Sequence, residues 1–209
     1  MVAGVDGLQQ QLSRRRLAAG CAAIALTIGA ACGRDASARG PETTIDSVVP
    51  REVALERFRD GLPEVTALAG GAPSREALVR GFASALAAGD AATLRGLALD
   101  RAEFAWLYYP TTPQGLPPYD LSPGLLWSLL DLHGERGLRR ALEEHGGKPA
   151  RYLGHSCDPR AGHEGVNTVY GPCVVRLTVA GERIEQRLFG LILERGGRFK
   201  FVSLANTLD

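Results

Sequence analysis

The chain has 209 residues, with 24 Lys or Arg against 23 Asp or Glu and a formal net charge of +1. Setting residues 1–31 aside removes three basic residues and one acidic residue, which leaves 21 against 22. With no basic excess to neutralise phosphates, no nucleic-acid partner is expected, and the remaining length suits one domain with a sizeable core and a tail.

Arg14, Arg15 and Arg16 form a positive end, and an apolar stretch runs from Leu17 to Ala31. As a helix, that stretch covers about 22 Å at about 1.5 Å per residue, short of a hydrocarbon core of about 30 Å. Residues 1–31 are therefore read as a cleaved signal peptide that takes no part in the fold. Ala30-Ala31-Cys32 resembles the box of a bacterial lipoprotein signal, in which the Cys is acylated and becomes the mature N-terminus. Gly29 stands where that box usually carries an aliphatic residue. The resemblance implies lipidation of Cys32, a membrane partner through the lipid anchor and a place in the bacterial envelope. Gly33 in place of Asp after the Cys implies the outer membrane, facing the periplasm. Two or three acyl chains make such an attachment persistent, where one is marginal. The alternative is ordinary cleavage at Ala36-Ser37-Ala38. Ser13-Arg14-Arg15-Arg16-Leu17 also resembles part of a twin-arginine signal, so the export route stays open. Residues 32–50 are small, polar and Pro-containing and read as a flexible tether.

Residues 51–209 read as a single α+β globular domain. Leu55 and Phe58 sit at helical spacing in 51–60, and Leu62, Val65 and Leu68 extend that face beyond Pro63. Ser74 is an N-cap for a helix over 74–88 whose Leu78, Phe82 and Leu86 form a stripe for burial. Gly89 ends it, and Asp90 caps a short helix through Leu97. Asp100 caps a turn leading into the aromatic run 104–109, and prolines hold the loop that follows in extended form. Ser122-Pro123 starts a very apolar helix with a break expected near Gly134 and a stop at Gly146-Gly147. After that the period drops from near four to two. Strands are expected at 152–156, at 174–179, through 184–193 and at 199–204, with Gly196-Gly197 as a hairpin turn. Helices first, then a curved antiparallel sheet of three to four strands, is an α+β layout.

The helix 74–88, the Leu86-Ala87-Ala88-Gly89-Asp90 step and the following short helix and strands resemble the NTF2-like (SnoaL-like) cone domain over roughly 74–206. The long helix after Ser122 and the Pro-rich loop depart from that pattern. The resemblance implies a sheet wrapped around a pocket, with an acid or base such as His133 or His155 in enzymes of this kind.

Cys157 and Cys173 are the pair beyond Cys32, and in an oxidising compartment they are expected to form a disulfide. A zinc site adding His155 and His163 is the alternative, although the spacings fit no standard pattern. Asp131, His133 and Glu135 alternate along a helix and point apart, so they read as its polar edge. His163-Glu164 reads as loop, and Ser156 lacks a nucleophile elbow. No phosphate-cradling Gly loop or cofactor motif is present, so no cofactor is expected. Trp106, Tyr108 and Tyr109, with Tyr119 and Trp127, are the candidate ligand-binding residues: polar-tipped aromatics beside a proline-stiffened loop suit a pocket mouth. The bland reading is that they fill the core. Arg176, Glu185 and Arg187 are expected to pair across strands or to face solvent. The leading expectation is a lipid-anchored, non-enzymatic envelope protein that binds a protein partner or a small apolar ligand. The alternatives are a SnoaL-like enzyme and a structural envelope-assembly protein.

Overall fold

Capping side chains set most helix boundaries in the computed structural model, which describes residues 49–206. The expected signal peptide, Cys32 and all but the last two residues of the expected tether lie outside the described residues. α1 (Arg51–Arg59) buries Leu55 and Phe58. It stops at Gly61, whose φ of 73° favours glycine. Leu62, Val65 and Leu68 therefore continue as irregular chain and not as the expected helical face, although Leu68 is still buried. In α2 (Arg75–Ala88) the Ser74 side chain accepts from the Ala77 N–H, and Gly89 closes the helix in the left-handed region. Its stripe of Leu78, Val79, Phe82 and Leu86 is fully buried. Asp90 caps α3 (Ala91–Gly96) through the Thr93 N–H. Asp100 and Glu103 form a reciprocal capping box on α4 (Arg101–Glu103), which runs directly into a π-helical turn, Phe104–Tyr108.

α5 (Pro123–His145) is capped by Ser122 and is one continuous helix of 23 residues. The break expected near Gly134 does not occur. Gly134 and Gly137 instead let α5 lie against the C-terminal segment 203–206. A Cβ on Gly137 would sit 2.1 Å from the Leu204 carbonyl oxygen, and one on Gly134 would sit 3.5 Å from the Leu204 nitrogen.

The helices-first α+β layout holds, with the strands divided between two antiparallel sheets. The first has the order β1 (Ala150–Cys157), β4 (Cys173–Val179), β5 (Glu182–Gln186). The second has the order β2 (Gly162–Glu164), β3 (Asn167–Tyr170), β6 (Ile192–Arg195), β7 (Arg198–Phe201). The run 184–193, read as one strand, leaves the first sheet after Gln186 and enters the second at Ile192. Between them Gly190 docks on the C-terminal segment, its N–H donating to the Ser203 carbonyl at 3.1 Å. His163-Glu164, read as loop, lies in the short β2–β3 hairpin of 162–170, too brief to display a period.

The second sheet explains why 188–193 is apolar on both faces. Ile192 and Phe201 join the core under α2, with Val175, Leu177 and Phe82. Leu193 and Val202 join a second core with Phe104, Tyr108, Tyr109 and Leu126. Alternate residues of one strand pair therefore face two different cores. Residues 97–99 extend the β7 edge: the Phe201 N–H donates to the Leu97 carbonyl and the Leu99 N–H to the Phe201 carbonyl, both at 2.9 Å. Among the described residues, no helix is long and apolar enough to cross a membrane.

Candidate functional site

The aromatic run is bound into the second core by its backbone. A π-turn shifts carbonyl groups out of the i to i+4 pattern, and side chains from distant elements satisfy them. Arg59 donates to the Ala105 carbonyl through Nε at 3.2 Å and Nη2 at 3.0 Å. Arg51 donates to the Tyr109 and Pro110 carbonyls at 3.0 and 3.1 Å, and Asn167 donates to the Leu107 carbonyl at 2.8 Å. Tyr108 and Tyr109 are buried. The Tyr109 hydroxyl donates to the Leu121 carbonyl at 2.8 Å, and burial pushes the Tyr108 phenol up to about 12. The Arg59 guanidinium lies 3.9 Å over the Trp106 ring. Tyr119 is largely exposed on the proline-rich loop.

A buried ion pair anchors this turn to the sheet. Lys200 Nζ lies 2.7 Å from Glu103 Oε2, and both side chains are almost fully buried. Glu103 also accepts from the Ala69 N–H at 2.7 Å and the Asp100 N–H at 3.0 Å. The carboxylate is thus fully engaged, as a buried charge requires.

Trp127 has a different place. Its ring packs on Phe104 at 5.3 Å between centroids and lines a cavity of about 290 Å³ between α5, residues 95–101 and the segment 202–204. Leu99, Ala98, Leu130, Val202 and Leu204 supply apolar walls. The rim is polar, with two arginines against three carboxylates. Arg95 and Glu135 form a two-pronged pair at 2.7 and 2.8 Å, and the hydrogen bond from Arg95 holds the Glu135 carboxyl below its usual range. Asp100, Arg101 and Asp131 lie on the same rim, with the Arg101 guanidinium 4.6 Å over the Phe58 ring. An apolar pocket with a few oriented polar groups is the form of small-molecule sites, and this volume lies at the small end of their range, about 300–1,000 Å³.

Asp131 and Glu135 therefore share one face of α5, while His133 lies on the rim of a second cavity across the helix. His155 lines neither. It sits where β1 meets α2, with its Nδ1 2.7 Å from the Tyr152 hydroxyl, which donates to Glu76 Oε2 at 2.6 Å. Burial lowers the imidazole's affinity for a proton, against the attraction of Glu76. Cys157 and Cys173 face each other across β1 and β4 and are joined by a disulfide with S–S 2.09 Å. The bond consumes both thiols, so the zinc alternative with His155 and His163 is not formed. Ser156 and His163 are exposed. Arg176 and Glu185 are cross-strand partners, 3.9 Å apart.

Sequence reasoning located Trp127 but not the cavity beside it, nor the rim residues Arg95, Asp100 and Arg101. The signal available was the Gly134/Gly137 pair, three residues apart on one helix face, which marks a close backbone approach and hence grooves on either side of it. Comparison with known proteins finds no matching family model, no matching curated protein and no matching solved structure.

Proposed function

We propose that the chain is a lipid-anchored envelope protein, tethered through Cys32, whose α+β domain binds a small apolar ligand without catalysing a reaction. The observation that carries the binding reading is the Trp127 cavity: apolar walls, a polar rim on which Arg95 is already paired with Glu135 and a volume of about 290 Å³ suit a compact, mostly hydrocarbon molecule without an acidic group. The disulfide is consistent with an oxidising compartment. The order of α2, the Gly89–Asp90 step, α3 and the C-terminal strands supports retaining the NTF2-like resemblance as part of this reading. Native mass spectrometry of the protein purified from its membrane tests it. A retained small molecule that is lost when Ala98→Phe fills the cavity is expected, and a chain that is empty in both forms removes the reading. Attachment is tested separately by metabolic labelling with a palmitate analogue, with the label expected on the parent and absent from Cys32→Ser.

The Glu76–Tyr152–His155 chain of hydrogen bonds favours a second reading, an acid–base enzyme of the SnoaL-like kind. With Nδ1–H donated to Tyr152, the imidazole Nε2 is left as a base. That reading requires His155→Gln to abolish a turnover that the folded protein otherwise supports.

A further inference from the structure

On the far side of the α5 seam lies a second cavity of about 300 Å³ with the opposite chemistry. Three arginines and a histidine converge on it: His133, Arg136 and Arg140 from α5, and Arg187 from the segment that crosses between the sheets. Phe189 and Leu191 form its apolar side. Among the described residues no carboxylate lines it, and none of the three arginines has an ion-pair partner. Their neighbours differ in this respect: Arg139, on another face of α5, lies 3.8 Å from Glu143, and Arg95 pairs with Glu135. Like charges gathered without a counter-charge repel one another, most strongly where water is partly excluded.

The site is pre-shaped. Asn206 is buried and donates through Nδ2 to the Gly137 carbonyl at 3.0 Å and the Leu188 carbonyl at 3.1 Å. It also accepts from Arg140, through its backbone carbonyl and through Oδ1 at 3.3 Å, which fixes that guanidinium. Arg140 Nε is buried and has no hydrogen-bond partner among the described residues. Gly190 permits the floor: a Cβ there would lie 3.1 Å from the Ser203 carbonyl oxygen and hydroxyl.

We propose that this cavity is a binding site for an oxyanion, a carboxylate or phosphate group, carried on a short apolar body. Guanidinium forks match the planar oxygens of such groups two at a time, and Phe189 and Leu191 receive the hydrocarbon. The site is distinct from the Trp127 cavity, whose rim carries three carboxylates against two arginines, and it stands whether or not that cavity is occupied.

Calorimetry on the full chain carrying Cys32→Ser tests the proposal with four probes: octanoate, its neutral amide, inorganic phosphate and monomeric dihexanoyl phosphatidylglycerol. Arg136 and Arg187 make no hydrogen bonds or ion pairs among the described residues, so Arg136→Gln with Arg187→Gln is expected to fold as the parent does. Saturable binding of octanoate or of the short-chain lipid is expected, at least tenfold weaker in the double variant and absent for the amide. Binding of the lipid alone identifies a headgroup as the source of the anion, and binding of octanoate identifies a free acid. Inorganic phosphate is expected to bind more weakly than either amphiphile. Binding as tight in the double variant as in the parent overturns the proposal, as does equal binding of the amide or no binding of either amphiphilic anion.

Discussion

Adding one methyl group at two neighbouring positions of α5 should change stability in opposite directions. Gly134 and Gly137 are both interior to the helix, and replacing glycine by alanine there is worth about 1 kcal/mol from backbone propensity alone. At Gly134 the new Cβ would meet the Leu204 nitrogen at 3.5 Å and the Ser203 Cβ at 3.7 Å, both ordinary contacts. Gly134→Ala should therefore stabilise by about 1 kcal/mol and raise the Tm by about 2–4 °C for a domain of this size. At Gly137 the Cβ would fall 2.1 Å from the Leu204 carbonyl oxygen and 3.1 Å from both nitrogens of Asn206. α5 would have to lift from the C-terminal segment, straining the buried Asn206 bond to the Gly137 carbonyl. Overpacking costs about 1–3 kcal/mol and an impaired buried hydrogen bond about 1 more. After the propensity gain is subtracted, Gly137→Ala should lose about 2 kcal/mol, a fall of about 4–8 °C. Thermal unfolding followed by far-ultraviolet circular dichroism reads both variants. A Gly137→Ala protein as stable as Gly134→Ala would refute the close seam between α5 and residues 203–206, and with it the origin of the two cavities.

Glu103→Gln should destabilise by about 3–5 kcal/mol in urea titrations, because it strands the buried Lys200 ammonium; the double variant Glu103→Leu, Lys200→Met should recover part of the loss, and no loss in the single variant would deny that the pair is buried. Removing the disulfide with Cys157→Ala and Cys173→Ala opens a loop of sequence separation 16 and should cost about 3 kcal/mol by the chain-entropy argument; unchanged stability against a reduced parent control is the expected companion result, and a difference there would point to packing. Burial holds the His155 imidazole below its ordinary value, and the Tyr152 hydrogen bond holds the Glu76 carboxyl below its own. In both cases the unfolded chain takes up the proton first, so stability is fully present above about pH 6.5 and declines as pH falls, first through the His155 range and then through that of Glu76. Tm measured from about pH 7.5 down to about pH 5 should drop, and His155→Gln should flatten the upper part of that slope. An identical slope in the variant would show that His155 titrates normally.

What could be read from the sequence follows the range of the interactions involved. The Ser74, Asp90, Asp100 and Ser122 caps all act within three residues, so those helix starts were legible. The disulfide was legible because Cys157 and Cys173 stand as a pair in the domain beyond Cys32. The π-turn was not, because its freed carbonyls are held by Arg51, Arg59 and Asn167 from 46 to 60 residues away. The division into two sheets depends on Gly190 docking against Ser203, a tertiary event that leaves no period in the strand run. Of the aromatic candidates, Tyr108 and Tyr109 are buried in the second core and Trp127 borders a cavity. Polar-tipped aromatics serve either purpose, and only the path of α5 separates them.

The chain has two tryptophans, so Trp106→Phe leaves Trp127 as the only tryptophan reporter. Titrating that variant with the neutral apolar dye N-phenyl-1-naphthylamine tests the binding reading most directly. The account predicts saturable quenching of Trp127 emission that disappears when Ala98→Phe is added. Emission that stays constant up to the solubility limit of the dye, or quenching that survives the filled cavity, would contradict it.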